Sequence, residues 1–118
     1  MSKELRIPQP IAALIEATNN HDTDKFLVTF TNNAVITDEG QKYGGIKAIK
    51  EWSDEKYTGT QVTLNPVDVI DRDGRTILTA EVNGNFDKSG LPDPFLMDLH
   101  FTVDGNKIAA LNFRLAGE

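Results

Sequence analysis

The chain has 118 residues, no cysteine and a formal net charge of −6. That length fits a single domain spanning 1–118, and a chain of this size buries roughly 65% of its unfolded surface, enough for a core and a modest cavity. The acidic balance argues against nucleic acid and anionic membranes, which need concentrated Lys and Arg, and the lack of cysteine excludes disulfides, thiol nucleophiles and Cys-based zinc sites.

The opening Met1-Ser2-Lys3-Glu4-Leu5-Arg6-Ile7-Pro8 has no apolar stretch of the signal-peptide kind, and no apolar run approaches membrane-spanning length, so a cytoplasmic protein is expected. Pro8 and Pro10 suit a helix start, where a missing N–H costs nothing. Ile11, Leu14, Ile15 and Thr18 then follow helical spacing. Asn19-Asn20-His21 breaks the helix, and Asp22 predicts the N-cap of a second one, running to about Phe30 with Phe26, Leu27 and Phe30 as its apolar face. Thr31-Asn32-Asn33 reads as a turn, Ala34 to Thr37 as a short strand, and Glu39 to Gly45 as a loop. A third helix follows, with Ile46, Ile49 and Trp52 facing inward and an end near Tyr57.

Beyond Thr58-Gly59 the apolar period changes to two. Val62 and Leu64 alternate in one phase, Val67 and Val69 in the other, which predicts a bulge or bend at Asn65-Pro66. Asp71-Arg72-Asp73-Gly74 predicts a hairpin turn. Leu78, Ala80 and Val82 mark the next strand, and Gly84 to Pro94 is a polar connection. A strand from Phe95 to Val103, a tight turn at Asp104-Gly105-Asn106 and a last strand from Lys107 to about Leu115 complete the chain.

Two aspartates stand out. Asp38 closes a short strand, where a carboxylate can act as a general base or serve the turn begun by Glu39-Gly40. Asp98 and His100 share one face of the Phe95–Val103 strand, with Phe95, Met97, Leu99, Phe101 and Val103 on the other. Either the apolar face is the core and the polar pair meets solvent, or the polar face lines a cavity. His21 with Asp22 and Asp24 has a metal-like look, but Asp22 is better explained as a cap, and no metal site or cofactor is expected. There is no phosphate loop, nucleophile elbow or zinc motif.

The order of these elements resembles the NTF2-like superfamily, within it the SnoaL-like proteins and, more distantly, the ketosteroid isomerases. The resemblance rests on Asn20-His21-Asp22-x-Asp24-x-Phe26, on Phe30-Thr31-Asn32-Asn33-Ala34-Val35-Ile36-Thr37-Asp38, on Gly45-Ile46-x-Ala48-Ile49-x-x-Trp52 and on Phe101-x-Val103-Asp104-Gly105-Asn106-Lys107-Ile108. It spans nearly the whole chain. It implies an α+β, cone-shaped NTF2-like fold, with N-terminal helices packed on a strongly curved, mostly antiparallel sheet, closing a pocket and often forming a homodimer. Asp38 falls where ketosteroid isomerases carry their base. Asp98 falls where they carry a protonated acid that donates to the developing oxyanion. The chain departs from those enzymes at Leu14, which stands where their helix-one tyrosine is expected. It also lacks the last-strand aspartate of SnoaL-type cyclases, since Ala109 to Leu115 contains none.

On this resemblance the expected catalytic set is Asp38, Asp98 and His100, and the expected pocket lining is Leu14, Phe26, Phe30, Tyr43, Trp52, Phe86, Leu111 and Phe113. The expected ligand is a small apolar molecule bearing a carbonyl, processed by isomerase-, cyclase- or dehydratase-type acid–base chemistry. The other reading is a non-catalytic ligand-binding or dimerisation module. The two separate on whether Asp38 and Asp98 face one cavity.

Overall fold

The computed structural model describes residues 6–72, 75–85, 89–91 and 95–116. Helix α1 (Gln9–Asn19) starts behind Pro8, with Pro10 in its first turn, and buries Ile11, Leu14, Ile15, Ala17 and Thr18. It ends on Asn19, whose side chain grips strand β3 (Thr63–Arg72) twice: Nδ2 donates to the Leu64 carbonyl at 3.0 Å, and the Leu64 N–H donates to Oδ1 at 2.7 Å. The amide thus mimics a neighbouring strand and ties the helix end to the sheet. His21 takes a left-handed φ of 53° in the tight passage to α2 (Thr23–Leu27). Asp22 caps α2, with Oδ1 accepting from the Lys25 N–H at 3.1 Å.

Helix α2 is shorter than its apolar spacing suggests. The Thr29 hydroxyl donates to the Phe26 carbonyl at 2.7 Å, diverting an acceptor the helix would have used. Strand β1 (Phe30–Asp38) is correspondingly longer. The polar Thr31-Asn32-Asn33 does not reverse the chain. It is taken up in a register shift against β6 (Lys107–Leu115) between Phe30 and Val35. The expected loop after Asp38 holds strand β2 (Gln41–Gly44), which pairs Asp38 with Gln41 across Glu39-Gly40. Both turn residues have positive φ, 51° and 79°, as a primed hairpin turn requires; a glutamate in that conformation is an unusual signal.

Helix α3 (Ile46–Trp52) begins after Gly45, whose φ of 88° suits glycine alone, and runs into a wider π-type turn at Ser53–Tyr57, then a 3₁₀ turn at Thr58–Thr60. Strands β4 (Arg75–Asn83) and β5 (Leu96–Asp104) complete a six-stranded sheet of order β2-β1-β6-β5-β4-β3. All neighbours run antiparallel except β1 and β6. The change of phase in β3 coincides with a register shift between Pro66 and Asp68. The architecture is α+β, with helices packed on a mostly antiparallel sheet.

Alternation sets the two faces of the sheet. Ala34 and Ile36 on β1, Leu78 and Ala80 on β4, Leu99 and Phe101 on β5 and Ile108 and Leu111 on β6 are all buried beneath the helices. The in-between residues, including Ile77, Thr79, Asp98 and His100, belong to the opposite face. The fully buried side chains Leu99 and Phe101 show that the apolar face of β5 is the core face. Among the described residues no helix is long and apolar enough to cross a membrane.

Candidate functional site

Asp38 continues the inward row Ala34, Ile36 of β1 past the point where the helices stop covering it. Its carboxylate therefore meets a cavity of about 920 Å³ rather than packed core. The volume lies within the range of small-molecule sites, roughly 300–1,000 Å³. Trp52, Tyr57 and Phe113 form an aromatic wall, with Val62, Leu64, Val82, Met97 and Leu115 as aliphatic lining. Charged residues bordering the same space are Asp38, Glu39, Glu55, Lys56 and Arg114. Much of the lining is thus apolar, with polar groups gathered at few points.

The indole Nε1–H of Trp52 donates to Asp38 Oδ2 at 3.1 Å, which fixes one carboxylate oxygen and leaves Oδ1 as the freer acceptor. Trp52 itself is 3% exposed, so the indole is held by its neighbours. Tyr57 stacks on it with ring centroids 4.9 Å apart and planes 25° from parallel. Phe113 packs at 5.6 Å and Tyr43 at 6.2 Å. Behind this wall Phe26 contacts Tyr57 at 5.0 Å and Phe30 at 5.1 Å. The π-type turn is what brings Trp52 and Tyr57 face to face, since an ordinary helix would separate residues five apart by more than one turn.

The Tyr57 hydroxyl does not stand free. It pairs with Thr18 Oγ1 on α1 at 2.7 Å. Burial pushes this phenol well above the ordinary tyrosine value, and the Thr18 hydrogen bond only partly offsets that, so it stays neutral at physiological pH.

The expected residues divide clearly. Asp38, Trp52 and Phe113 border the cavity. Tyr43 supports Trp52 from β2. Leu14, Phe26, Phe30 and Leu111 are buried in the core behind the wall. Phe86 lies outside the described residues. Asp98 and His100 are not brought to Asp38: strand alternation puts them on the far face of β5, because Leu99 and Phe101 take the core face. There Asp98 Oδ1 accepts from the Thr79 hydroxyl at 2.6 Å and stands opposite Arg114 in the β5–β6 register. The expectation that two carboxylates share one cavity is corrected accordingly. Sequence reasoning did not place Val62, Leu64, Val82, Met97 and Leu115 in the lining; their inward phase was readable, but not that the helices leave them uncovered. Among the described residues no group of three or more His, Asp or Glu is gathered as a metal site would need.

No family model matches the chain, and no curated protein matches it in sequence. Solved structures do match. A candidate polyketide cyclase from Sinorhizobium meliloti is 26% identical, with a TM-score of 0.82 over 92% of this chain and 95% of that one. A protein with a ketosteroid isomerase-like fold from Catenulispora acidiphila, solved in complex with trimethylamine, is 16% identical, with a TM-score of 0.75 over 95% and 88%. A Mycobacterium tuberculosis protein solved with estradiol-17β-hemisuccinate is 12% identical, with a TM-score of 0.73 over 88% of each chain. With an α-then-β order, helices on one face of a mostly antiparallel sheet and these structural matches, the chain has the NTF2-like, ketosteroid isomerase-like fold.

Proposed function

We propose that this protein binds a small, largely apolar molecule in the cavity and uses Asp38 as an acid–base group on the ligand's polar end. The observation that carries the reading is a carboxylate on the wall of a cavity of about 920 Å³, with one oxygen held by the Trp52 indole. A base needs a fixed lone pair within reach of the proton it removes. Asp38 Oδ1 supplies that lone pair, and the aliphatic lining supplies a dry seat for a ring system carrying a carbonyl. The neighbours bound to estradiol-17β-hemisuccinate and named for polyketide cyclisation support a ligand of that type. Asp98 and His100 have no part in this reading.

A second reading is non-catalytic ligand binding. It is favoured by where two groups that could have served Asp38 stand: Asp98 is on the far face and the Tyr57 hydroxyl is engaged by Thr18. The exposed Val67 and Ile70, on a sheet whose outer face carries Asp98, support a homodimer formed through the sheet, which light scattering at micromolar concentration tests. A cytoplasmic setting fits a chain without cysteine.

Trp52 is the sole tryptophan, so its fluorescence reports the cavity directly. Titration with apolar ketones such as 2-tetralone should give a saturable change in emission. A flat response across ketones of increasing ring number contradicts the proposal.

A further inference from the structure

We propose that the Thr18–Tyr57 hydroxyl pair positions the Asp38 carboxylate through the Trp52 indole. The inference rests on the reading of Asp38 as the acid–base group of the cavity. The contacts form a continuous chain from the last turn of α1 to the end of β1. Thr18 Oγ1 and the Tyr57 hydroxyl are 2.7 Å apart, the Tyr57 ring stacks on Trp52 at 4.9 Å, and Trp52 Nε1 donates to Asp38 Oδ2 at 3.1 Å.

Each link constrains the next. Thr18 and Tyr57 are both 3% exposed, and among the described residues no buried side-chain N or O lacks a partner. Neither hydroxyl has water as a ready substitute, so the pair pins the para position of the phenol ring. A ring pinned at its hydroxyl and gripped by Phe26 at 5.0 Å presents one fixed face to the indole. The indole in turn has a single N–H, and a tilt of its plane swings that donor off the carboxylate. Position 18 is distant in sequence from both Tyr57 and Asp38, so a purely local account of Asp38 would give Thr18 no influence on it. Thr18 and Tyr57 are positioning residues here; neither is assigned a chemical step.

The test is the indole N–H resonance of the one tryptophan, recorded on ¹⁵N-labelled full chain. Asp38→Asn supplies the reference for a perturbed indole contact. Thr18→Val and Tyr57→Phe should each move the resonance toward that reference and speed its exchange with solvent by about fivefold or more, as loss of a hydrogen bond of ordinary net strength would. Thr18→Ser, which keeps the hydroxyl, should retain the wild-type resonance. Folded Thr18→Val and Tyr57→Phe with wild-type shift and exchange overturn the proposal, even if their melting temperatures fall. Tyr57→Phe keeps the ring and its packing, and decides alone if Thr18→Val does not fold. Binding of 2-tetralone to Asp38→Asn separates the two claims. Unchanged binding and unchanged α-proton exchange in that variant sink the acid–base reading, while an indole that still follows Thr18 and Tyr57 supports the positioning chain.

Discussion

Replacing Gly59 by alanine sets two effects against each other. Alanine favours helical backbone over glycine by about 1 kcal/mol, largely because its unfolded chain has less entropy to lose, so local reasoning predicts stabilisation. The structure predicts the reverse. A Cβ on Gly59 would lie 1.8 Å from the Asp54 carbonyl oxygen and 2.9 Å from its carbon. Ordinary carbon–oxygen contacts are about 3.3 Å or longer, so the two backbones must separate by more than 1 Å. The obstacle is main chain inside the π-type turn, which cannot swing aside like a side chain. Overpacking of this kind costs about 1–3 kcal/mol or more, and the backbone on both sides puts Gly59→Ala at the upper end. After subtracting the local gain, the net loss is about 2 kcal/mol. For a chain of this size the unfolding entropy is about 0.25 kcal/mol/K, which makes the expected fall in Tm about 8 °C. Circular dichroism gives Tm, and the Trp52 emission spectrum of the folded variant shows whether the turn has shifted the cavity wall. A Gly59→Ala protein as stable as wild type, with unchanged emission, refutes the packed π-turn as the device that stacks Trp52 on Tyr57.

Other expectations follow from the same geometry. Tyr57→Phe and Thr18→Val should each cost about 1–3 kcal/mol by leaving a buried hydroxyl alone, while the double variant costs clearly less than their sum, which a thermal double-mutant cycle measures. Because burial raises the folded-state pKa of Tyr57 above its unfolded value of about 10, its protonated form favours folding. Stability is therefore intact below pH ~10 and falls as pH rises through that value, and Tyr57→Phe should flatten this alkaline limb in denaturant titrations. Leu99→Ala, at a site of 0% exposure, should lower stability by about 2–5 kcal/mol in urea melts. Asp98→Asn should leave ketone binding unchanged in the fluorescence titration, since the side chain lies on the far face of β5 beside Thr79.

The legible part of this chain was its periodicity. The switch from helical spacing to strict alternation located the helices and the four long strands from Thr63 onward, and the alternation of Phe95 to Val103 already separated Asp98 from Leu99 and Phe101. What alternation could not supply was the sign of that separation, because either face of a strand can be the covered one until the helices are placed. The same residues that carry the resemblance to ketosteroid isomerases invited the cavity-facing assignment of Asp98, and the burial of Leu99 and Phe101 decides against it. The turn at Glu39-Gly40 was legible, but not the four-residue strand β2 behind it, because glutamate seldom adopts the positive φ of a primed hairpin turn and Gln41–Gly44 is too short and polar to alternate. The π-type turn was hidden because its wider spacing leaves no mark in the apolar period, and the room it needs beside Gly59 is set by the Asp54 backbone. Leu14, Phe26, Phe30 and Leu111 were correctly inward, yet inward includes both core and cavity, and only the packing around α1 and α2 tells these apart.

The central claim is that Asp38 acts as a base on a carbonyl ligand seated in the cavity. Exchange of the α-protons of 2-tetralone in D₂O, followed by proton NMR, tests it without knowledge of the natural ligand. General-base catalysis contributes about 10²–10⁴-fold, so wild-type protein should exceed Asp38→Asn by at least ~100-fold, with the variant near the buffer rate. Equal exchange by the two proteins, with the ketone shown by Trp52 fluorescence to be bound in both, would contradict the claim and leave a binding protein without catalysis.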